Sequence, residues 1–507
     1  MRGPVVVVGD TLLDRDVEGL VNRLCPDSPV PVLDETSAVD RPGGAGLAAV
    51  FAASQGADVV LVTALADDAG GARLSALLAA AGVRVYPLAL SGATPEKIRL
   101  RARGRVLLRH DRGGASGEPG QPSDEVLRVL AAASAVLVSD YGRGVARQPA
   151  LRAALAATRA PVVWDPHPRG PAAVPGVHLV TPNESEVREL VPTVPGASRL
   201  ATASQGAQGL RRRWRAGAVA VTLGGDGALL CHAGSTPLVV PTAGSAEGDT
   251  CGAGDRFAAA AGLALAQGAL VSEAVQAAVA EASAYVAGGG VATALPAPER
   301  AVGVRAEAGP RGSRWGTSQP GGERVGVAAV AALLAEVRGD GGTVVATGGC
   351  FDLLHAGHVA TLQAARQLGD CLIVCVNSDD SVAGLKGPQR PVLPEGDRAR
   401  LLAALSCVDA VVVFDEPTPE AVLSWVRPDV WVKGGDYASG VGDAATLPEA
   451  EVLRRWGGNT VVVPYLDGCS TSDLIARSAA GQAVGAGGEP PPVGVTTEVT
   501  SMPERTR

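Results

Sequence analysis

Asp249-Thr250-Cys251-Gly252-Ala253-Gly254-Asp255 stands at the head of an alanine-rich stretch that reads as a helix over Gly254–Gln267. Glycines at a helix start let backbone N–H groups close on an anion, and the helix dipole favours negative charge at that end. Gly252, Ala253 and Gly254 therefore read as an anion hole, and Asp255 can take the proton of a hydroxyl held against it. Anion hole and base together are what phosphoryl transfer to an alcohol needs, since its catalysis is mostly positioning and charge stabilisation.

Upstream, apolar strand-like runs at Val5–Val8, Val59–Val62, Val136–Val138, Val162–Trp164, His178–Val180 and Val219–Leu223 alternate with helical stretches such as Ala45–Gln55 and Asp124–Ala132. A second closing helix is expected over Ser272–Ala287. This alternation predicts an α/β fold with a largely parallel sheet covered on both faces. Pro42-Gly43-Gly44-Ala45-Gly46 precedes a helix, where backbone can close on a polar substrate. Thr181-Pro182-Asn183-Glu184-Ser185-Glu186 offers an Asn and a Glu suited to organising a magnesium–phosphate cluster. Val221-Thr222-Leu223-Gly224-Gly225-Asp226-Gly227 runs from a strand into a glycine turn where a nucleotide can lie on bare backbone.

Downstream, the period stops. Residues 305–325 are rich in Gly, Pro, Ser and Arg and read as a linker between a 1–304 domain and a 326–478 domain. In the second domain a helix over Gly326–Val337 leads to strands at Thr343–Thr347, Leu372–Val376, Ala410–Phe414, Val430–Val432 and Thr460–Val463. Residues 479–507 have no period and are expected to be a disordered tail. Thr347-Gly348-Gly349-Cys350-Phe351-Asp352-Leu353-Leu354-His355-Ala356-Gly357-His358 ends a strand in a glycine turn and opens a helix. Its two imidazoles, three apart, share a helix face beside free N–H groups, which suits charge developing on an α-phosphate. A zinc reading needs more ligands, and none is near in sequence.

Composition narrows the classes. The chain has 507 residues, 46% hydrophobic and 19% charged, so two to four domains with real cores are expected and disorder as the main state is excluded. A net charge of −8, from 44 basic and 52 acidic residues, argues against a nucleic-acid binder or a polybasic membrane surface. No apolar run of about 18 residues marks a span, and the N-terminus lacks a signal-peptide pattern. Eight scattered cysteines show no CxxC pair, so a thiol-reduced, cytoplasmic protein is expected. Of the basic residues only Lys97, Lys386 and Lys433 are lysines, each a candidate for a site needing a compact ammonium.

In their order, the first motifs resemble the ribokinase-like sugar kinases, from Val5 to about Pro298. The resemblance implies Asp255 as catalytic base, Gly252, Ala253 and Gly254 as anion hole, Asn183 and Glu186 as the magnesium and phosphate motif, and Thr222, Gly225 and Gly227 as the ATP-binding turn. Asp10 and Asp14 fall where that family places sugar-binding groups, near Gly43 and Gly44. Lys97, Arg99 and Arg109 flank the lid and can meet a substrate phosphate, with solvated surface the alternative. Leu47 stands where the family usually has an asparagine, and Arg256 where a small hydroxyl residue is common.

The later motif is similar to the HxGH signature of the nucleotidyltransferase superfamily, over about Val344–Ile475. That likeness implies a smaller Rossmann-like α/β domain with His355, His358 and Lys386 as catalytic groups. It assigns nucleotide binding to Gly349, Phe351, Asp352, Gly357, Arg398, Lys433, Asp436, Ser470, Thr471 and Ser472, with Arg390 a further anion binder. The fusion resembles the bifunctional heptose kinase/adenylyltransferases, supported by Ser139-Asp140-Tyr141 and by the Gly-Gly-Asp-Tyr and Asp-Gly-Cys-Ser-Thr segments. That family implies ATP and Mg²⁺ in both reactions, heptose phosphates as substrates, a homodimer and a hand-over to a separate phosphatase. Another sugar phosphate, a cytidylyl donor, or a non-catalytic first domain remain the alternatives.

Overall fold

Strands apolar at every position are stable only where both sheet faces are covered, and the first valine run obeys this. The computed structural model describes residues 3–25, 27–103, 105–113, 118–192, 198–232, 236–242, 248–291, 324–435 and 448–464. In its first part the strands are β1 (Val5–Gly9), β2 (Thr11–Cys25), β3 (Ser28–Gly44), β4 (Val59–Leu65), β5 (Val83–Ala89), β6 (Glu96–Ala102), β7 (Arg105–Arg112), β8 (Ala135–Ser139), β9 (Val162–Asp165), β10 (Leu179–Val180), β11 (Ala218–Thr222), β12 (Ala228–Cys231) and β13 (Leu238–Val240). The helices are α1 (Ala45–Ser54), α2 (Ala69–Ala80), α3 (Asp124–Ala131), α4 (Pro149–Ala157), α5 (Glu184–Leu190), α6 (Arg199–Trp214), α7 (Ala253–Ala266) and α8 (Val271–Ala287). The second part holds β14 (Val344–Gly349), β15 (Cys371–Asn377), β16 (Ala410–Phe414), β17 (Val430–Gly435) and β18 (Asn459–Pro464). Its helices are α9 (Val327–Gly339), α10 (Ala356–Arg366), α11 (Asp379–Lys386), α12 (Glu395–Ala403), α13 (Glu420–Val426) and α14 (Pro448–Arg454).

β1 lies between β4 and β8, parallel to both, and the first sheet runs β5-β4-β1-β8-β9-β10-β11-β12-β13. Among the described strands of this sheet β12 alone runs antiparallel to its neighbours, β11 and β13. Valines alternate between two cores: Val6 and Val8 pack on one face, Val5 and Val7 on the other with α1, α7 and α8. The second sheet is all parallel, in the order β16-β15-β14-β17-β18. Both parts are therefore α/β, and a single site can form at the carboxyl ends of each set of strands.

Two features depart from the sequence reading. β13 pairs in parallel with β18 at Leu238 and Val462, and Val462 N–H donates to the Pro237 carbonyl at 3.0 Å, so the two sheets meet edge to edge rather than standing apart. A separate four-stranded sheet, β3-β2-β6-β7, also extends from the first unit. It left no apolar run because one face is charged: Asp14, Asp16 and Glu18 of β2 stand beside Lys97, Arg99 and Arg101 of β6. The linker (except Arg324 and Val325) and the tail at 479–507 lie outside the described residues.

Candidate active sites

The first site gathers where β1, β8 and β9 end and α7 begins. Gly252 caps α7 with φ 82°, a left-handed conformation that glycine takes without strain. A Cβ there would lie 2.9 Å from Leu47 Cδ2, so Leu47 is the floor beneath the expected anion hole. Asp255 sits in the first turn of α7, 6% exposed, and the Tyr141 hydroxyl donates to its two oxygens at 2.9 and 3.0 Å. Burial pushes the Asp255 carboxyl up to about 7; the Tyr141 hydrogen bond and Lys97 oppose the rise, while Asp14 and Glu186 add to it. Arg256 turns away, bonding Glu281 at 2.5 Å and Ser54 at 3.3 Å, so it ties α7 to α8 and α1 and leaves the site clear.

Asp14 is buried and paired with Arg99 at 2.9 Å; the same guanidinium reaches Cys251 Sγ at 3.9 Å. Arg99 thus links the charged sheet to the loop before α7. Lys97 is beside Asp14 in register. Gly43 lets β3 press on this pair, since a Cβ would come within 3.0 Å of Asp14 Oδ2. Gly44 (φ 62°) leaves room for the Tyr141 ring, which would stand 3.3 Å from a Cβ. Arg109, by contrast, lies on the exposed strand β7 and pairs with Asp111.

The Asp10 carboxylate, expected on the sugar side, is 3% exposed and accepts backbone N–H bonds from Tyr141, Arg143 and Val145 at 3.0, 2.9 and 3.0 Å. It anchors the loop after β8. Asn183 and Glu186 form a capping box on α5: Asn183 N–H donates to Glu186 at 2.8 Å and Glu186 N–H to Asn183 Oδ1 at 3.0 Å. Burial raises the Glu186 carboxyl, with the Asn183 bonds pulling it back. Thr222 bridges to Asn183, which brings the nucleotide turn against this motif. Around Gly225 a Cβ would meet nothing within 4 Å, and Gly227 (φ 94°) passes under the Val240 carbonyl. Asp165 completes the group; burial, then Glu186 and Asp255, push it well above the carboxylate range, and Thr181 donates to it at 2.9 Å.

Tyr141 and Asp165 received no role from sequence. Both follow or end buried strands at the sheet's carboxyl edge, and that position was the available cue.

In the second site β14 ends at Gly349, Phe351 turns with φ 44°, and His355 caps α10 by accepting the His358 N–H at 3.4 Å. The two imidazoles stack 3.8 Å apart and Phe351 borders His358 at 5.3 Å. Burial lowers His358 to about 4, helped by His355 and the nearby Lys386 charge, so the ring is neutral at pH 7. Gly357 is buried in the first turn of α10, and Lys386 is the exposed last residue of α11. Lys433 on β17 pairs with buried Glu449 at 2.5 Å and lines a cavity with Gly348, Gly349, Asn377 and Trp431.

Two residues expected at the nucleotide, Arg398 and Asp352, are buried and hydrogen-bonded within the protein. Arg398 is 0% exposed and donates to the carbonyls of Cys350 (2.6 Å), Asn377 (2.8 Å) and Leu393 (3.0 Å) and to Asp379 (2.7 Å). Asp352 is also buried and accepts from Arg390, from Val392 N–H at 2.6 Å and from Leu393 N–H at 3.3 Å. Burial alone would raise it, but these donors hold it below the usual range. Both residues, with Arg390, clamp the turn that carries the histidines. Asp436, Ser470, Thr471 and Ser472 lie outside the described residues.

Among the described residues no helix is long and apolar enough to cross a membrane, and no cluster of three or more His, Cys, Asp or Glu side chains is placed to hold a metal. The pfkB family carbohydrate kinase model matches residues 3–298, and the cytidylyltransferase-like model matches 346–477. Ribokinase of Arabidopsis thaliana, solved with ribose and ATP, is 24% identical, covering 58% of this chain and 96% of that one at TM-score 0.46. Fold, sites and family matches together define a bifunctional transferase, a carbohydrate kinase followed by a nucleotidyltransferase, with ATP as a substrate. The bifunctional protein HldE of Streptomyces coelicolor is 53% identical over 483 residues, 95% of this chain and 97% of that protein. That of Nitrosococcus oceani is 36% identical, covering 93% and 96%. The chain belongs to this HldE family of bifunctional proteins.

Replacing Arg398 by Met leaves Asp379 and the carbonyls of Cys350, Asn377 and Leu393 without their donor. We expect a loss of about 3–5 kcal/mol, read as a lower urea midpoint for the second unit with adenylyl transfer falling alongside. A residue whose only task was to hold nucleotide would leave that midpoint in place.

Proposed function

We propose that the chain phosphorylates D-glycero-β-D-manno-heptose 7-phosphate at O1 with ATP and later adenylylates the heptose 1-phosphate, giving ADP-heptose and pyrophosphate. The observation carrying this reading is one chain that joins a buried carboxylate at a glycine-opened helix start to a stacked histidine pair at a second glycine turn. The functional units are 1–304 and 326–478, joined through 305–325.

In the kinase step the sugar O1 hydroxyl rests against Asp255. Its proton passes to that carboxylate as the O1–Pγ bond forms, and the bond from Pγ to the departing ADP oxygen breaks. Backbone N–H groups of Gly252, Ala253 and Gly254 meet the charge on the transferring group. Asp14, Gly43, Gly44 and Lys97 form the sugar side, while Thr222, Gly225 and Gly227 form the nucleotide side. A separate phosphatase removes the 7-phosphate. In the transferase step an oxygen of the 1-phosphate attacks the α-phosphorus of ATP and the bond to pyrophosphate breaks. The His355 and His358 imidazoles stand beside the α-phosphate, and the Lys386 ammonium meets the outgoing phosphates. Gly349, Phe351, Gly357, Lys433, Asp436, Ser470, Thr471 and Ser472 surround the nucleotide.

Mg²⁺ enters with ATP and offsets crowded phosphate charge in both steps. The capping box leaves Glu186 one carboxylate oxygen beyond the bond to Asn183, which fits an ion that keeps most of its waters and takes one protein carboxylate. A cytoplasmic homodimer is the working form; open strand β7, with Val106, Leu107 and Leu108 exposed, supports the pairing of two copies.

Phosphorus NMR with Mg²⁺, ATP and the 7-phosphate sugar, with phosphatase added midway, should show an anomeric phosphate and then a diphosphate ester with pyrophosphate. With heptose 1-phosphate supplied directly, CTP in place of ATP should give no sugar nucleotide, and the opposite preference would overturn the adenylyl assignment. Asp255→Asn should cut the kinase rate by about 10²–10⁴ while His358→Ala spares it and stops pyrophosphate release. Because the folded pKa of Asp255 is raised to about 7, native protein favours its protonated form. Stability tied to that proton is complete below pH 4 and lost as pH climbs through 7. Asp255→Asn should therefore melt higher relative to wild type at pH 8 than at pH 4, a difference calorimetry can read.

A further inference from the structure

The loop after β8 carries no motif of phosphoryl transfer, yet it is among the most firmly held segments around the first site. Asp10, buried at the end of β1, accepts the backbone N–H groups of Tyr141, Arg143 and Val145. Asp140, the preceding residue, accepts the Gly142 N–H at 2.8 Å. These bonds leave the Tyr141 side chain one direction, across Gly44 and onto Asp255. A carboxylate whose only hydrogen-bond donor among the described residues is a phenol has its orientation and its charge governed by that phenol.

We propose that Tyr141 is a positioning residue of the kinase step, holding Asp255 as an oriented, ionised base until the sugar hydroxyl arrives. The inference rests on Asp255 being that base. Every other charge facing Asp255 matters too: Lys97 from β6 favours its anion, while Asp14 from β2, Glu186 from α5 and Asp165 from β9 oppose it. Tyr285 of α8 also faces the carboxylate but spends its proton on the Cys251 carbonyl at 2.6 Å. Three acidic neighbours against one lysine leave the balance to the phenol. Tyr141 itself stays protonated, because burial and then the Asp255 charge push it well above 10, so it remains a donor throughout the working range. A phenol, unlike a lysine or arginine, supplies this donor without adding a cation that would compete for the transferring phosphate.

The test is the pH profile of kinase kcat/KM in the full chain, with the 7-phosphate sugar and Mg-ATP. Tyr141→Phe should move the acid limb up by about one unit, putting the rate about tenfold below wild type at pH 6 and within about threefold at pH 9. Adenylyl transfer should be unchanged, which reports that the variant is folded. Placing 3-fluorotyrosine at 141, a more acidic phenol of nearly the same size, should move the limb the other way and covers the case of a Phe variant that does not fold. An acid limb that stays in place in both variants, with rate or KM altered equally at every pH, would overturn the proposal and leave Tyr141 as packing. Asp255→Asn run alongside separates the two readings: an undiminished kinase rate there removes the base itself, whereas its loss with an unmoved limb in the Tyr141 variants removes only this inference.

Discussion

A buried carboxylate is the constraint around which the first unit is arranged. Burial opposes the charge of Asp255 and pushes its carboxyl up to about 7, while the base role proposed for it needs that charge. The start of α7 puts it beside unsatisfied N–H groups and the positive end of a helix dipole. Tyr141 adds a directed proton, and Lys97 a distant positive charge. Those supports depend on others in turn: Tyr141 on the Asp10 anchor, and the Gly252 turn on Leu47 and on the Tyr285 bond to Cys251.

In the second unit burial acts on a base with the other charge sign: it lowers His358 to about 4, helped by His355 and Lys386, and keeps that ring neutral. The demand falls on geometry, because two rings 3.8 Å apart on a helix start need a rigid turn before them. Arg398 and Asp352 provide it by occupying the carbonyls and amides on either side of that turn. Charged side chains here act on the backbone, and their burial is compensated by full hydrogen bonding.

The departures at Leu47 and Arg256 find a shared physical reason. Leucine fills the space under Gly252, and arginine is long enough to leave the site and tie α7 to α1 and α8. Neither side chain obstructs the base. The fusion also has a structural expression beyond sequence order, since β13 and β18 bring the two sheets into contact.

Local chemistry was legible along the chain. Valine runs specify buried parallel strands, and Gly252 and Gly254 mark where a helix begins. The spacing of His355 and His358 specifies a shared face because a helix has 3.6 residues per turn. What remained hidden depends on groups far apart in sequence. That Asp10, Asp352 and Arg398 brace the backbone could not be read along the chain, because a free charge and a backbone strut have the same letters. Only their burial against particular amides and carbonyls tells them apart. The charged sheet of β2, β3, β6 and β7 was likewise invisible, since charged residues face one another across β2 and β6 and leave no apolar period there. Sequence by itself determined the α/β class, the two glycine-opened helix starts and the order of the two chemistries. Tertiary structure alone decided which charges face the reacting atoms, because that choice is made by burial and by partners brought together across more than a hundred residues, as Tyr141 and Asp255 are.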